Sequence, residues 1–520
     1  WLRCENLRRT SDGLIQTPPQ KVQVTSALTL QGIATIPTGR TKRQRVFLLG
    51  TQIAELTDVG YVNVLLQGPD ALAGRPTGEG LPDYIAEFRI PDGFFRWAWV
   101  NFEDKIYISN RDTPIHVITM HPWVRRMQNQ NILVNPTVEI PCGQYLETFY
   151  DHLVVGNVTY QGVHEGRVQW SGLRDFGDWL PKKNNEADYF DFIESQDHII
   201  QGVTGLKRFG RLLAAYTSDS INLGTYVGLP GVIRWEEVVH GIGNDFPWAV
   251  VGFDRYHFFI SEKWRNFAVF DGTSTPQPIG DPIAEYFFND LSANNDYRYQ
   301  VIGWVDQARH EIVWNYCAGT SVPPGTLTKQ VVYDFIGKTW SIRPSPGVID
   351  MVGVVQLGKQ IDSQVGTIDG LTGSINGLGL GNMYPQVWLS QAGHDVYVSG
   401  TYGDTVVAQT TPLLETGDLV YGDIDAVKEV EAITIHAALG TAKEIKVEYS
   451  VRDHVSDTVS YTEAKLRWTP TLRECRVPIQ ASGKIWRYRF TAVQNLTDTI
   501  ANFVWYGHVE YVYGAKQVEK

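Results

Sequence analysis

Cysteine is scarce in this chain: four occur in 520 residues, Cys4, Cys142, Cys317 and Cys475. No CxxC pair or other short spacing brings two of them together, so no zinc site is expected, because such a site needs clustered ligands. A disulfide framework would need a denser set. Free, buried thiols in a protein made in a reducing compartment are the expectation. Long apolar runs are also missing. No stretch approaches the roughly 18 consecutive apolar residues of a membrane-spanning helix, and no signal peptide is visible. The chain opens Trp1-Leu2-Arg3-Cys4 without a methionine, which points to a native start further upstream. Long helical periodicity is almost absent.

Positive charge is in deficit, with 45 Lys and Arg against 57 Asp and Glu, a formal net charge of -12. A dedicated DNA-binding protein would present a basic surface. An acidic or mixed surface still suits a protein that lets DNA pass, because it repels phosphate and does not grip it. Solubility alone explains it as well. The basic runs Arg40-Thr41-Lys42-Arg43-Gln44-Arg45, Trp123-Val124-Arg125-Arg126 and Lys182-Lys183 read as solvated loops, with no nucleic-acid motif beside them.

Catalytic motifs are missing too. His116 and His121 lie five residues apart, and His152, His164, His240, His257 and His310 stand alone; none forms HExxH. There is no GxSxG elbow. The Gly-rich stretch Gly366–Gly381, GTIDGLTGSINGLGLG, lacks the GK[ST] ending of a phosphate loop and reads as a linker. Asp175-Phe176-Gly177-Asp178-Trp179 and Asp334-Phe335-Ile336-Gly337-Lys338-Thr339-Trp340 are similar to the Asp-box turn of sialidase-like propellers, though not at its proper spacing. That turn is structural in any case: the Asp caps a hairpin and the Trp packs below it. No pair of catalytic carboxylates stands out among 57 acidic residues without geometry. The expectation is therefore no enzyme activity, no catalytic, cofactor-binding or metal-ligating residue, and no cofactor.

What is present is β-structure. The 16 Trp and 25 Tyr favour strands and interfaces, and 49 Gly imply many turns. The length calls for two or three domains. One unit recurs, a polar turn followed by three or four apolar residues. Clear copies are Asp104–Ser109, Asp151–Gly156, Asp254–Ser261 and Arg309–Asn315; weaker ones are Arg45–Gly50, Arg211–Ala215 and Lys359–Asp362. Their marker residues Phe47, Ile106, Leu153, Leu212, Phe258, Ile312 and Ile361 recur about every 46–59 residues, room for one four-stranded propeller blade each plus loops. A second apolar strand follows in several copies: Val168-Gln169-Trp170-Ser171-Gly172, Val269-Phe270-Asp271-Gly272, Val332-Tyr333-Asp334 and Ile368-Asp369-Gly370. We expect an all-β chain, with a β-propeller of six or seven blades over 30–378. An irregular β-sandwich array is the alternative. Segment 1–29 is expected to close the propeller with an added strand. Alternating strands at 429–436, 445–451, 486–490 and 504–511 predict a C-terminal β-sandwich-like domain over 379–520.

The order of these features resembles a known family. Asn6-Leu7 with Asp12-Gly13-Leu14 looks like the opening strand of tailed-phage tail nozzle and hub proteins, which are similar to the packaged-DNA-stabilisation proteins of short-tailed phages. Phe246-Pro247-Trp248 before Asp254–Ser261, Phe270-Asp271-Gly272, and Tyr333-Asp334 with Gly337-Lys338-Thr339-Trp340-Ser341 resemble that family as well. So do Leu414-Glu415-Thr416-Gly417, Trp486-Arg487-Tyr488-Arg489-Phe490 and Gly507-His508-Val509-Glu510-Tyr511, which look like its terminal β-domain. The resemblance implies a structural virion protein, made in the host cytoplasm and placed in the tail. It implies a homohexameric ring below the portal and adaptor that extends the DNA channel and helps retain and deliver the genome. Its partners would be other copies of itself, the portal or adaptor ring, tail fibres or spikes, and DNA passing without sequence recognition. The family carries no catalytic residues, and the lumen-lining residues are not assigned. The alternative is a propeller that binds or hydrolyses host surface glycan.

Overall fold

The computed structural model describes residues 96–118, 140–192, 202–291, 300–319, 327–344, 412–438, 444–464, 474–493 and 504–516. Short breaks fall at 104, 182–184, 274, 308 and 423–424, and separate strands are described between 3 and 63, at 124–126, and between 349 and 399. Nearly all of it is strand; Ala284–Asp290 is the only helix among the described residues. Contacts divide the chain into two compact units. One comprises Gln23–Thr328 and Gly347–Tyr397, the other Trp1–Val22, Lys329–Pro346 and Val398–Lys520.

The first unit is a β-propeller built from antiparallel meanders in chain order. The first runs Leu30–Thr38, Arg43–Gly50, Ile53–Thr57, Gly60–Asn63. The second is Ala98–Phe102, Lys105–Asn110, Thr113–Ile118, Val124–Arg126. The third is Cys142–Phe149, His152–Thr159, Val163–Trp170, Asp188–Asp191. The fourth is Gly205–Phe209, Leu212–Tyr216, Ser220–Gly228, Val232–His240. The fifth is Val251–Phe253, Tyr256–Ser261, Asn266–Phe270, Gln277–Pro278. The sixth sheet contributes the hairpin Ile302–Asp306 and Glu311–Tyr316. The seventh has the order Ile349–Val355, Gln386–Gln391, Asp395–Ser399, Gln20–Thr25.

The six described markers, Phe47, Ile106, Leu153, Leu212, Phe258 and Ile312, all lie on the second strand of a sheet. Ile361, the copies Lys359–Asp362 and Ile368–Gly370, and the Gly366–Gly381 stretch lie outside the described residues. The markers are apolar runs because the second strand is buried on both faces. His152–Thr159 is buried at seven of eight positions and Glu311–Tyr316 at all six. Alternate side chains serve opposite neighbours. Leu153 and Val155 pack with Tyr107 and Ile115 of the second meander, whereas Val154 packs with Leu206 and Leu213 of the fourth. Ala215 joins the third meander, and Ala214 and Tyr216 join Phe259 and Ala268 of the fifth. Each Val, Leu or Phe side chain so buried contributes about 1.5–3 kcal/mol, an alanine methyl about half of the lower figure. Fourth strands, at the rim, are wet: Asp188–Asp191 has no buried residue and Gln277–Pro278 is exposed.

The turns entering the second strands are tight. Phe149 pairs with His152 across Tyr150 and Asp151, both at positive φ (45° and 61°), the primed hairpin geometry that suits strand twist. Phe102, Phe209 and Phe253 hold the same place before two-residue loops in their own meanders. At the junction of the fifth and sixth sheets Gly303 N–H donates to the Trp248 carbonyl at 2.9 Å. A Cβ at Gly303 would lie 2.5 Å from Val251 Cγ2, so only glycine allows this approach.

The second unit is a β-sandwich. One sheet holds the hairpin Lys329–Asp334 and Thr339–Pro344, then Arg3–Glu5, Leu413–Glu415, Ile485–Val493, Glu444–Arg452 and Thr462–Ala464. The other holds Leu7–Thr10, Gly13–Gln16, Val504–Lys516, Val427–Ala438 and Glu474–Gly483. Trp486, Tyr488 and Phe490 alternate inward with Ile445 and Val447 from one sheet, and meet Ile433, Ile435, Val477 and Trp505 from the other.

Candidate functional site

The propeller's inner strands enclose a cavity of about 450 Å³. Its wall comes from the first strand, or the residues just before it, of the second to sixth sheets. Trp97, Trp99 and Asn101 come from the second, Tyr145 from the third, Lys207 from the fourth, Trp248 from the fifth and Trp304 from the sixth. Trp97 is fully buried, and Tyr145 and Trp248 meet at a ring distance of 5.3 Å. Arg96 at the wall donates from Nη2 to the Gln300 carbonyl at 3.3 Å. Arg96 and Lys207 are the charged members of the described lining, and no carboxylate is among them. Burial pushes the nearby Glu147 carboxyl above its ordinary pKa, and the Lys207 charge opposes that shift.

The described histidines lie on different strands or turns. His152 is wholly buried at the start of a second strand; its Nδ1 lies 2.7 Å from the Ser171 carbonyl and so carries a hydrogen, and its Nε2 lies 3.1 Å from Glu186 Oε2. Tyr226 donates to the same carboxylate oxygen at 2.9 Å, and burial, then Glu186, raises the pKa of its phenol. These contacts gather His152 and Glu186 of the third meander and Tyr226 of the fourth into one side-chain cluster. His257 donates from Nε2 to the Arg208 carbonyl and accepts from the Tyr216 hydroxyl at 2.8 Å, under the Phe209 ring at 3.5 Å. Burial lowers its pKa to about 3, so it is neutral. His116 is buried against the Pro114 carbonyl, and His240 pairs with Glu237 at the surface. His121, Lys182 and Lys183 lie outside the described residues, as do residues 40–42 of the first basic run and Trp123 of the second. Arg43, Arg45, Arg125 and Arg126 are placed in strands only as backbone.

The two Asp turns are local scaffolding. Asp334 Oδ1 accepts from Ile336 N–H and Gly337 N–H at 2.9 and 2.8 Å, and the Tyr333 and Trp340 rings meet at 4.7 Å. Asp175 Oδ1 accepts from Gly177 N–H at 3.3 Å, while Trp179 is wholly buried and donates to the Phe176 carbonyl. All four cysteines are free thiols, Cys4 and Cys317 buried and the other two half-buried. Among the described residues no group of three His, Cys, Asp or Glu side chains could hold a metal ion.

The sandwich carries a charged lattice on the outer face of one sheet. Glu415 pairs with Arg489 at 3.1 Å and Arg487 at 3.6 Å, and accepts from the Tyr461 hydroxyl at 2.6 Å. Asp418 joins Arg487 and Arg452; Glu448 joins Lys446. The Arg489 guanidinium lies 3.7 Å over the Tyr461 ring. Burial first, and then Glu415, pushes the Tyr461 phenol up to about 12.

The tryptophan-lined cavity escaped the sequence reading because its members come from five separate sheets. A signal was available: Trp97, Trp99, Trp248 and Trp304 all stand at or just before a first strand.

No protein-family model matches the chain, and no curated protein does. Among solved structures, it is similar to the Neurospora crassa Pan2 WD40 domain, at 8% identity over 74% of this chain and 97% of that one, TM-score 0.38. It is also similar to an ancestral GH74 enzyme, at 10% identity over 74% of this chain and 46% of that one, TM-score 0.40. A third is PorZ, a surface component of the type-IX secretion system of Porphyromonas gingivalis, at 8% identity over 86% and 46%, TM-score 0.35. The chain thus spans about half the length of the last two. At these scores the likenesses carry no argument about activity, and none of the three is a phage tail protein.

Proposed function

We propose that this chain is a non-enzymatic structural component of a phage tail, the nozzle or hub, which extends the DNA channel below the portal and adaptor and helps retain and deliver the genome. One observation carries the reading furthest: the chain passes between the propeller and the sandwich four times, after Val22, Thr328, Pro346 and Tyr397. Units joined by one linker separate under tension by extending it. Four covalent passages share the force, which suits a ring that confines packaged DNA. The family resemblance supports the same reading, and so do buried His, Tyr and carboxylate groups engaged with one another. In this reading copies assemble head-to-tail into a closed homohexamer, and the net charge of -12 keeps DNA from sticking as it passes. Cryo-electron microscopy of the intact virion tests it. Six copies around the tail axis, next to the adaptor, are expected; isolated monomers away from the axis would overturn the assignment.

A further inference from the structure

We propose that the outer rim of the third and fourth meanders is the face on which a second copy of this chain docks. The inference rests on the reading that copies assemble, and it names the surface they use. Every large apolar side chain exposed in the described propeller belongs to these two meanders; the second and fifth meanders and the hairpin of the sixth sheet have none. Six share one zone: Tyr150, Leu173, Tyr189, Phe190, Val227 and Leu229, each between 41% and 52% exposed. The Tyr150 ring stacks on Tyr226 at 4.9 Å, beside Val227, and the Phe190 ring meets Trp235 at 6.4 Å, so the zone crosses from one meander to the other. Arg174 N–H donates to the Asp151 carbonyl at 2.9 Å, which sets Leu173 next to the Tyr150 turn.

With residues of these types spanning roughly 150–250 Å² each, the zone presents on the order of 500 Å² of mostly apolar surface. The largest apolar patch of an ordinary monomer is about 300–600 Å² and is often functional. A stable protein interface takes about 800 Å² per partner, a little over half of it apolar, and the zone supplies that share. Charge then points to a like chain. Arg174 pairs with Asp151 at 2.8 Å, and Arg167 pairs with Asp191 at 2.7 Å, its guanidinium 3.9 Å over the Tyr189 ring. Cations already paired in this way are not the continuous basic groove that a nucleic acid needs. Two chains of net charge -12 repel each other, and they meet at least cost where charge is neutralised within each chain and apolar surface faces apolar surface.

The test uses the full chain in sedimentation velocity over micromolar concentrations. Reversible self-association is expected, and high salt should not weaken it, because the contact is apolar. Leu229→Glu and Phe190→Glu, both at exposed positions, should each weaken it about tenfold or more at an unchanged melting temperature. Val455→Glu, which puts the same charge at an exposed valine of the sandwich, should leave it unchanged. The thiol introduced by Leu229→Cys should react with a maleimide in dilute protein and be protected in the associated species. The proposal fails if the chain stays monomeric throughout, or if that thiol reacts equally fast in the associated species. It also fails if both glutamate variants associate as the native chain does; copies then meet through another face, and the ring reading is decided by the virion images alone.

Discussion

The second strands of the propeller and the strands of the sandwich solve burial differently. A second strand lies between two neighbouring meanders, so both faces are apolar and it reads as a continuous run: Leu212–Tyr216 is buried from Leu213 onward. A sandwich strand has one inner face, so Ile485–Val493 alternates, with Trp486, Tyr488 and Phe490 in the core and Arg487 and Arg489 in the outer ionic lattice. The difference shows where each region tolerates polarity. The propeller buries polar side chains singly on such strands, as with His257, held by the Arg208 carbonyl and the Tyr216 hydroxyl, whereas the sandwich spreads charge over a whole face.

The largest effect should therefore follow truncation of a second-strand aromatic. Trp314 is wholly buried, donates to the Ala249 carbonyl at 2.9 Å, and lies 4.8 Å from the Phe267 ring. Trp314→Ala opens a cavity and strands a buried acceptor, at a cost of about 3–5 kcal/mol. Chemical denaturation of both proteins measures it, and a loss under about 1 kcal/mol would mean that the two-faced burial does not govern stability.

Acid comes next, and it should act on the propeller first. The folded chain holds His257 neutral down to about pH 3, whereas the unfolded chain protonates it near its ordinary pKa, about 6.5. Between those values the unfolded state binds the extra proton, so stability falls as pH falls, by up to about 1.4 kcal/mol per pH unit. Above the unfolded value the contribution is fully present. His257→Gln should flatten the wild-type loss between about pH 6.5 and 3 in unfolding experiments. An identical pH profile for both would show that the ring protonates without unfolding.

In the sandwich, Arg489→Met should cost about 1–3 kcal/mol, because Glu415, only 7% exposed, loses one charged donor but keeps Arg487 and Tyr461 as partners. A loss above about 3 kcal/mol would place it among buried pairs, where an orphaned charge is severe.

The same contrast explains what the sequence made legible. The second strands were visible because they have no wet face: Ile106, Leu153, Phe258 and Ile312 each head an unbroken apolar run. The outer strands were invisible, since Asp188–Asp191 and Gln277–Pro278 bury little and carry only local pairing. The Phe before each two-residue turn, at 102, 149, 209 and 253, was a sharper repeat than the polar turn itself. It passed unremarked because the turns between differ in composition. Sandwich alternation was plain at Trp486–Phe490. The first strand of the chain carried no such signal: Arg3–Glu5 takes its place through partners hundreds of residues away, such as Ile342 and Leu414. The cavity was illegible for the same reason.

At the solvent rim the two regions should cease to differ. Lys263 of the propeller pairs with Asp219 at 2.7 Å, its side chain 57% exposed, and Arg476 of the sandwich pairs with Glu431 at 3.1 Å, 54% exposed. Each pair joins flexible side chains that water already solvates, so what attraction adds, side-chain ordering largely removes, and salt screens the rest. Lys263→Ala and Arg476→Ala should each change stability by less than about 0.5 kcal/mol, and double-mutant cycles with Asp219→Ala and Glu431→Ala should give equally small couplings. The measurement is most telling at low salt, where surface attraction is strongest. A coupling above about 1 kcal/mol in one region alone would show that burial depth is not what separates propeller from sandwich, and that the rim of that region is far less solvated than its side-chain exposure implies.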